Sequence, residues 1–328
     1  MSKVKSYLSL IKFSHTIFAM PFALIGFFIA IPIEVEYGVG QWNLNKVISL
    51  KWDFESGRLP FIENSLAGKL VSGDATVITV GKYMLLVILC MVFARSAAMA
   101  FNRYLDRQYD AKNPRTAIRE IPSGIITPQN ALLFTIVNCL LFITCTFFIN
   151  KLCFYLSPVA LAVVLGYSYT KRFTPLCHLI LGLGLSLAPI GAYLAVTGKF
   201  AFLPILFSFA VIFWVSGFDI IYALQDEEFD KSQQLYSIPA WLGKAKALRV
   251  SEILHLLSSA AIIYAGVHGH FGWLYWIGTA VFAGMLVYQH SIVKPHDLKR
   301  VNLAFMTANG IASVVFAIFV IADLFVKS

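Results

Sequence analysis

Hydrophobic residues gather in nine long runs, at 14–33, 83–101, 131–149, 154–170, 175–197, 201–223, 249–268, 271–290 and 303–326. Each run approaches the ~20 residues that a helix needs to cross ~30 Å of hydrocarbon. The ~10-residue alternation of an outer-membrane barrel is absent. The pattern therefore predicts an all-α integral membrane protein with nine transmembrane helices. Lys3, Lys5 and Lys12 precede the first run, as in a secretory leader. That run is long, however, and Ile31-Pro32-Ile33-Glu34 is no small-residue cleavage site, so we read it as a span. Polar residues concentrate at 34–82, 102–130 and 225–248. The expectation is a single membrane domain over 1–328, with 34–82 as a long extracytoplasmic loop insertion.

Composition narrows the class. Of 328 residues, 59% are apolar and 13% charged, against about 45–50% and about 25% in soluble domains. Such a chain is not a soluble enzyme, a disordered segment, a coiled coil or a disulfide scaffold. Its five cysteines lie in or beside the apolar runs without C-x-x-C spacing, so neither a disulfide framework nor a zinc site is expected. The net charge of +9 would suggest nucleic acid in a soluble protein. Here it follows the positive-inside bias, and no nucleic-acid partner is expected. With the N-terminus inside, 17 of the 26 Lys and Arg residues fall on inside segments and 8 outside, Arg95 lying within a span. This predicts a multi-pass protein of the cytoplasmic (inner) membrane with its N-terminus in the cytoplasm.

The chemistry sits in two segments. Asn102, Asp106 and Asp110 step by four at the end of the second run, and Pro114 marks the helix end. Asp219, Tyr222, Asp226 and Asp230 step by three, four and four at the end of the sixth. The chain has only 17 acids, and eight of them lie in these two segments. An ordinary charged loop explains one D-x-x-x-D pair far better than two on the same side. Gathered carboxylates repel one another unless a cation neutralises them. Oxygen ligands select a hard ion, Mg²⁺ first, which usually binds carboxylates together with substrate phosphates. The candidate metal ligands are Asn102, Asp106, Asp110, Asp226 and Asp230, and the four aspartates are the candidate catalytic residues. Arg103, Arg107, Lys112, Arg115, Lys171 and Arg172 are suited to a diphosphate.

Asn102-Arg103-x-x-Asp106-x-x-x-Asp110-x-x-Asn113-x-Arg115-Thr116, followed by Pro122-Ser123-Gly124, resembles the first signature of the UbiA superfamily of intramembrane aromatic prenyltransferases. Tyr222-x-x-x-Asp226-x-x-x-Asp230 with Ser237 resembles the second. Tyr167-x-x-x-Lys171-Arg172, Pro175 and Ala304-Phe305-Met306 are similar to hydroxybenzoate-type members. The resemblance implies nine helices around a central cavity, capped by the 102–130 and 225–248 loops. It implies Mg²⁺-dependent transfer of a polyprenyl group from its diphosphate to an aromatic acid in quinone biosynthesis.

Arg95 lies seven residues before Asn102, on nearly the same face and about 10 Å deeper. An Arg within a span is costly and by default functional. Its candidate partner is the aromatic carboxylate or a diphosphate oxygen, the competing reading being a structural pair. Arg95, His15, Asp219 and Tyr222 are the candidate acceptor-binding residues. The runs Phe13-Ser14-His15-Thr16-Ile17-Phe18-Ala19 and Ala94-Arg95-Ser96-Ala97-Ala98-Met99-Ala100-Phe101 resemble the UbiA-like subgroup that serves menaquinone made through futalosine. The acceptor thus stands open between 4-hydroxybenzoate and 1,4-dihydroxy-6-naphthoate. Haem, homogentisate or a lipid acceptor would keep the family and change the product. A secondary transporter would place its acids at mid-span, and here they sit at span ends. Gly182, Gly184 and Gly191 are expected to permit close helix packing rather than to bind phosphate.

Overall fold

The computed structural model describes residues 3–11, 18–31, 66 and 77–326. His15 and most of the 34–82 segment lie outside these described residues. Within them all regular structure is helical, apart from an isolated bridge between Lys294 and Asp297. The helices are α1 (Lys3–Leu10), α2 (Met20–Ala30), α3 (Val77–Lys112), α4 (Pro128–Ile149), α5 (Lys151–Thr170) and α6 (Cys177–Thr197). They continue with α7 (Phe202–Ala223), α8 (Glu227–Ser232), α9 (Ile238–Leu242), α10 (Lys244–His268), α11 (Trp273–Ile292) and α12 (Asn309–Val326). A 3₁₀ turn, Leu224–Asp226, links α7 to α8, and a π turn, Leu303–Ala308, leads into α12. Among the described residues, seven helices are long and apolar enough to cross a bilayer: α3 to α7, α10, and the π turn with α12. The protein is a multi-pass membrane protein. The shorter α2 packs on α6 and α12, and α11 packs on α12.

Local signals set the boundaries. Thr127 caps α4 by accepting the Asn130 N–H at 3.3 Å, with Pro128 at the first helical position. Asn150 accepts the Cys153 N–H at 2.8 Å and donates to Leu194 O at 2.9 Å. One side chain thereby starts α5 and satisfies a carbonyl near the end of α6. Helix α3 has 36 residues, about 54 Å at 1.5 Å per residue, against ~30 Å of hydrocarbon. Its surplus length carries Asn102 to Lys112 out of the apolar layer as continuous helix. The helix begins at Val77, so residues 77–82 belong to α3 and not to the preceding loop.

The core is aromatic. Trp214, Phe22, Phe207, Phe282, Phe316 and Tyr275 are fully buried together. At its centre Asn309 accepts from Trp214 Nε1 at 2.8 Å and from Gln289 Nε2 at 2.7 Å, and donates to Phe305 O at 3.0 Å. The π turn leaves carbonyls out of register, and Asn309 satisfies two of them. That turn also presents Phe305 to Tyr222, with ring centroids 4.4 Å apart. Of the three α6 glycines, only Gly182 is a close-packing position. A Cβ there would lie 2.5 Å from Ile212 O on α7, whereas at Gly184 it would make ordinary contact and at Gly191 it would face open space. The expectation of close packing at all three is corrected to one.

Candidate active site

The ends of α3 and α7 converge, with the 113–124 segment and α8, on a cavity of about 270 Å³. All the candidate site residues line it except three, one of them Arg107, whose guanidinium donates to Tyr104 O at 2.7 Å within α3. His15 lies outside the described residues. Lys112 is the third exception: it is exposed, and its Nζ donates to Gln233 Oε1 at 3.3 Å. It is two residues past Asp110 on α3, and that rotation turns it off the cavity face. We therefore remove Lys112 from the diphosphate set.

Each of the four motif aspartates faces its own cation. Asp106 pairs with Arg172 Nη2 at 3.1 Å and accepts from Asn102 Nδ2 at 3.0 Å. Asp110 pairs with Arg119 Nη1 at 2.6 Å, with Arg103 at 3.9 Å. Asp230 faces Lys171 Nζ at 2.7 Å and accepts from Ser237 Oγ at 2.8 Å. Asp226 takes a two-pronged contact from Arg115, whose Nε lies 3.1 Å from Oδ1, and a third bond from Asn113 Nδ2 at 3.2 Å. The same guanidinium donates to Tyr222 Oη at 2.9 Å. The chain's own Arg and Lys thus supply part of the neutralising charge that gathered carboxylates require. Burial draws the Lys171 ammonium down, and the Asp230 carboxylate outweighs burial and holds it above its ordinary range. Arg115 is likewise lowered by burial and raised more by Asp226 and Tyr222.

The second motif is not one straight helix face. The 3₁₀ turn at Leu224–Asp226 offsets α8 from α7. Asp219, Tyr222, Asp226 and Asp230 nevertheless all reach the cavity. Among the described residues, no three His, Cys, Asp or Glu side chains are arranged to hold an ion. The donor chemistry still fits a hard cation: four carboxylates and the Asn102 amide offer oxygen throughout. Asp110 Oδ2 and Asp230 Oδ1 are buried and face only cations, Arg103 at 3.9 Å and Lys171 at 2.7 Å. Asp106, Asp110, Asp226 and Asp230 are the residues whose oxygens suit such an ion.

A second, apolar cavity of about 350 Å³ lies between α3, α4, α5 and α6. The two cavities share Arg95, Met99, Tyr167, Leu181 and Leu185. Arg95 therefore stands at their junction. Its Nε is buried without a hydrogen-bond partner.

Two lining residues escaped the pattern. Arg119 binds Asp110 but stands nine residues away on a turn, beyond any helical spacing rule. His178, a lone histidine in an apolar run, places Nδ1 2.7 Å from Asp219 Oδ2. No sequence signal separates it from a core histidine.

The UbiA prenyltransferase family model matches residues 65–311. The 4-hydroxybenzoate octaprenyltransferase of Tolumonas auensis is 30% identical over 242 residues, covering 71% of this chain and 82% of that one. The enzyme of the same name from Nitrosospira multiformis is 29% identical over 234 residues, covering 71% and 80%. The apo structure of a UbiA homolog from Aeropyrum pernix K1 superposes with a TM-score of 0.70 at 26% identity, covering 95% of this chain and 98% of that one. A UbiA homolog from Archaeoglobus fulgidus bound to GPP and Mg²⁺ superposes with a TM-score of 0.65 at 19% identity, covering 97% and 99%. Two aspartate motifs around one chamber and a family match over three quarters of the chain lead to one conclusion: this membrane protein belongs to the UbiA prenyltransferase family.

Proposed function

We propose that the protein transfers a polyprenyl group from polyprenyl diphosphate to an aromatic carboxylic acid, 4-hydroxybenzoate or 1,4-dihydroxy-6-naphthoate, in quinone biosynthesis, with Mg²⁺. One observation carries the reading. A charged chamber holding both aspartate motifs opens onto an apolar cavity, and Arg95 stands where they meet. The charged chamber suits a diphosphate, the apolar one a prenyl chain, and Arg95 an acid. The relatives named 4-hydroxybenzoate octaprenyltransferase favour this acceptor class.

In this reading Arg103, Arg115, Lys171 and Arg172 hold phosphate oxygens. Mg²⁺, when bound, supplies charge that stabilises the departing diphosphate. The C1–O bond of the prenyl diphosphate breaks and its electron pair leaves with the diphosphate. Tyr222, Phe305 and Phe218 turn aromatic walls toward the chamber, suited to an allylic cation. Apolar walls keep water from that cation. Asp219 takes the acceptor's hydroxyl proton as a ring carbon bonds to C1. The ring then loses its C–H proton to a diphosphate oxygen and recovers the hydroxyl proton from Asp219.

We read α2 and α11 as completing nine transmembrane helices, and the 113–124 and 225–243 segments as a cytoplasmic cap. The N-terminus is then cytoplasmic, the link from α2 to α3 lies on the extracytoplasmic side of one membrane domain, and the bilayer is the inner membrane. In a background lacking the five native cysteines, a cysteine placed within 34–76 should label from outside intact cells, and one at 117–120 should not. The reverse pattern would overturn this orientation. The function is tested by supplying the protein in liposomes with Mg²⁺, a polyprenyl diphosphate and a panel of acceptors, with products read by mass spectrometry. A prenylated hydroxybenzoate or hydroxynaphthoate is expected. A product formed only on haem, homogentisate or a lipid would replace the acceptor class.

A further inference from the structure

The diphosphate side of the chamber and the acceptor side are tied together by three consecutive residues. Tyr236 N–H donates to Lys171 O at 2.7 Å. Ser237 Oγ donates to Asp230 Oδ2 at 2.8 Å, and Asp230 faces Lys171. Ile238 N–H donates to His178 Nε2 at 3.3 Å. A backbone N–H only donates, so Nε2 carries the lone pair and the imidazole proton sits on Nδ1. Nδ1–H then donates to Asp219 Oδ2 at 2.7 Å. His178 is buried, with both ring nitrogens engaged. It is the hydrogen-bond partner of Asp219 among the described residues, and the Asp219 side chain remains 24% exposed toward the cavity.

We propose that His178 is a positioning residue that couples diphosphate binding to acceptor binding through the strap Tyr236–Ile238. The proposal rests on the prenyl-transfer reading. A diphosphate that draws the Lys171 ammonium away from Asp230 Oδ1 frees the carboxylate that anchors Ser237, next to the Tyr236 anchor on the Lys171 carbonyl. The third anchor is the lone pair that fixes the His178 tautomer and, through it, the direction of the Asp219 carboxylate. The acceptor's proton-taking group is thus aimed according to the state of the diphosphate site. The imidazole keeps its Nδ1 proton and shuttles none to the acceptor.

Two substitutions separate the ends of the ring. His178→Asn can place an amide N–H near the position of Nδ1 but does not reach Ile238. His178→Gln can reach Ile238 but offers Asp219 no donor at the Nδ1 position. Ile238→Pro deletes the strap's donor without touching His178. Proline suits the first helical position, and Ser237 before it is already extended at φ −147°, ψ 159°.

The experiment measures the dissociation constant of 4-hydroxybenzoate or 1,4-dihydroxy-6-naphthoate for the liposome-reconstituted protein, with and without geranyl thiolodiphosphate and Mg²⁺. In the unaltered protein the analogue should tighten acceptor binding at least about fivefold, at the lower end of allosteric couplings. His178→Asn and Ile238→Pro should reduce that factor to less than about twofold. His178→Gln should lower kcat about a hundredfold, as expected for a misaimed group. His178→Asn should recover at least about tenfold of that loss, the scale of one charge-assisted hydrogen bond. Coupling that persists in both His178→Asn and Ile238→Pro overturns the proposal. So does absent coupling in the unaltered protein, or an equal loss of kcat in the two His178 variants. A protein that binds the analogue but prenylates no aromatic acid would instead sink the functional reading, and with it the proposal.

Discussion

Replacing Asp226 with alanine is expected to lower kcat for prenyl transfer by at least about a hundredfold, the scale of losing one preorganised electrostatic group. Asp226 anchors Arg115 and Asn113 and is one of four carboxylates suited to the ion that accompanies the diphosphate. Its loss removes a candidate metal oxygen and frees Arg115, which also holds Tyr222. Asp226→Asn separates the two effects. The amide keeps an oxygen for Arg115 but carries no charge, so a folded Asn variant with the same deficit assigns the loss to the carboxylate charge. Asp106→Ala should behave alike, with Arg172 left to bond Leu105 O. EDTA should abolish turnover and Mg²⁺ should restore it. Full activity in metal-free buffer, or an Asp226→Ala variant within threefold of the unaltered rate, would refute the diphosphate site.

Arg95→Lys is expected to raise KM for the aromatic acid about tenfold or more, while KM for the prenyl diphosphate barely moves. The guanidinium sits at the junction of the charged and apolar cavities with its Nε unpartnered. A charge-assisted hydrogen bond contributes roughly 1.5–3 kcal/mol, or about 10- to 150-fold in affinity. Lysine keeps the charge but loses the planar fork that grips a carboxylate by two bonds. An acid held there presents its ring toward the aspartates rather than toward the apolar cavity. A rise in the diphosphate KM alone would move Arg95 to the phosphate site. Unchanged constants with a lower melting temperature would make it a packing residue.

Much of the architecture was legible in the run lengths. Seven of the nine apolar runs coincide with helices to within about five residues, the second lies inside the longer α3, and the first is seen as the shorter α2. Hydrophobic length is a local property that needs no partner to be read. The two D-x-x-x-D motifs were equally plain, because acids are rare in this chain and their spacing matches one helical turn. The partners of those acids were not. Asp226 meets Arg115 across 111 residues and Asp106 meets Arg172 across 66, and no pattern along the chain encodes such meetings.

The amino-acid sequence by itself determined a multi-pass helical membrane protein with two aspartate motifs at helix ends, since helix length and the cost of burying charge in lipid act within each segment. Tertiary structure alone decided what those residues do for one another. It turned Lys112 outward, set an Arg or Lys against each motif aspartate, and broke the second motif at Leu224–Asp226. It also put Arg95 at the junction of two cavities and His178 between Asp219 and Ile238. The reason is physical. Which buried polar atoms find partners depends on how helices cross, and helices distant in sequence cross where small residues let them approach, as at Gly182 against Ile212.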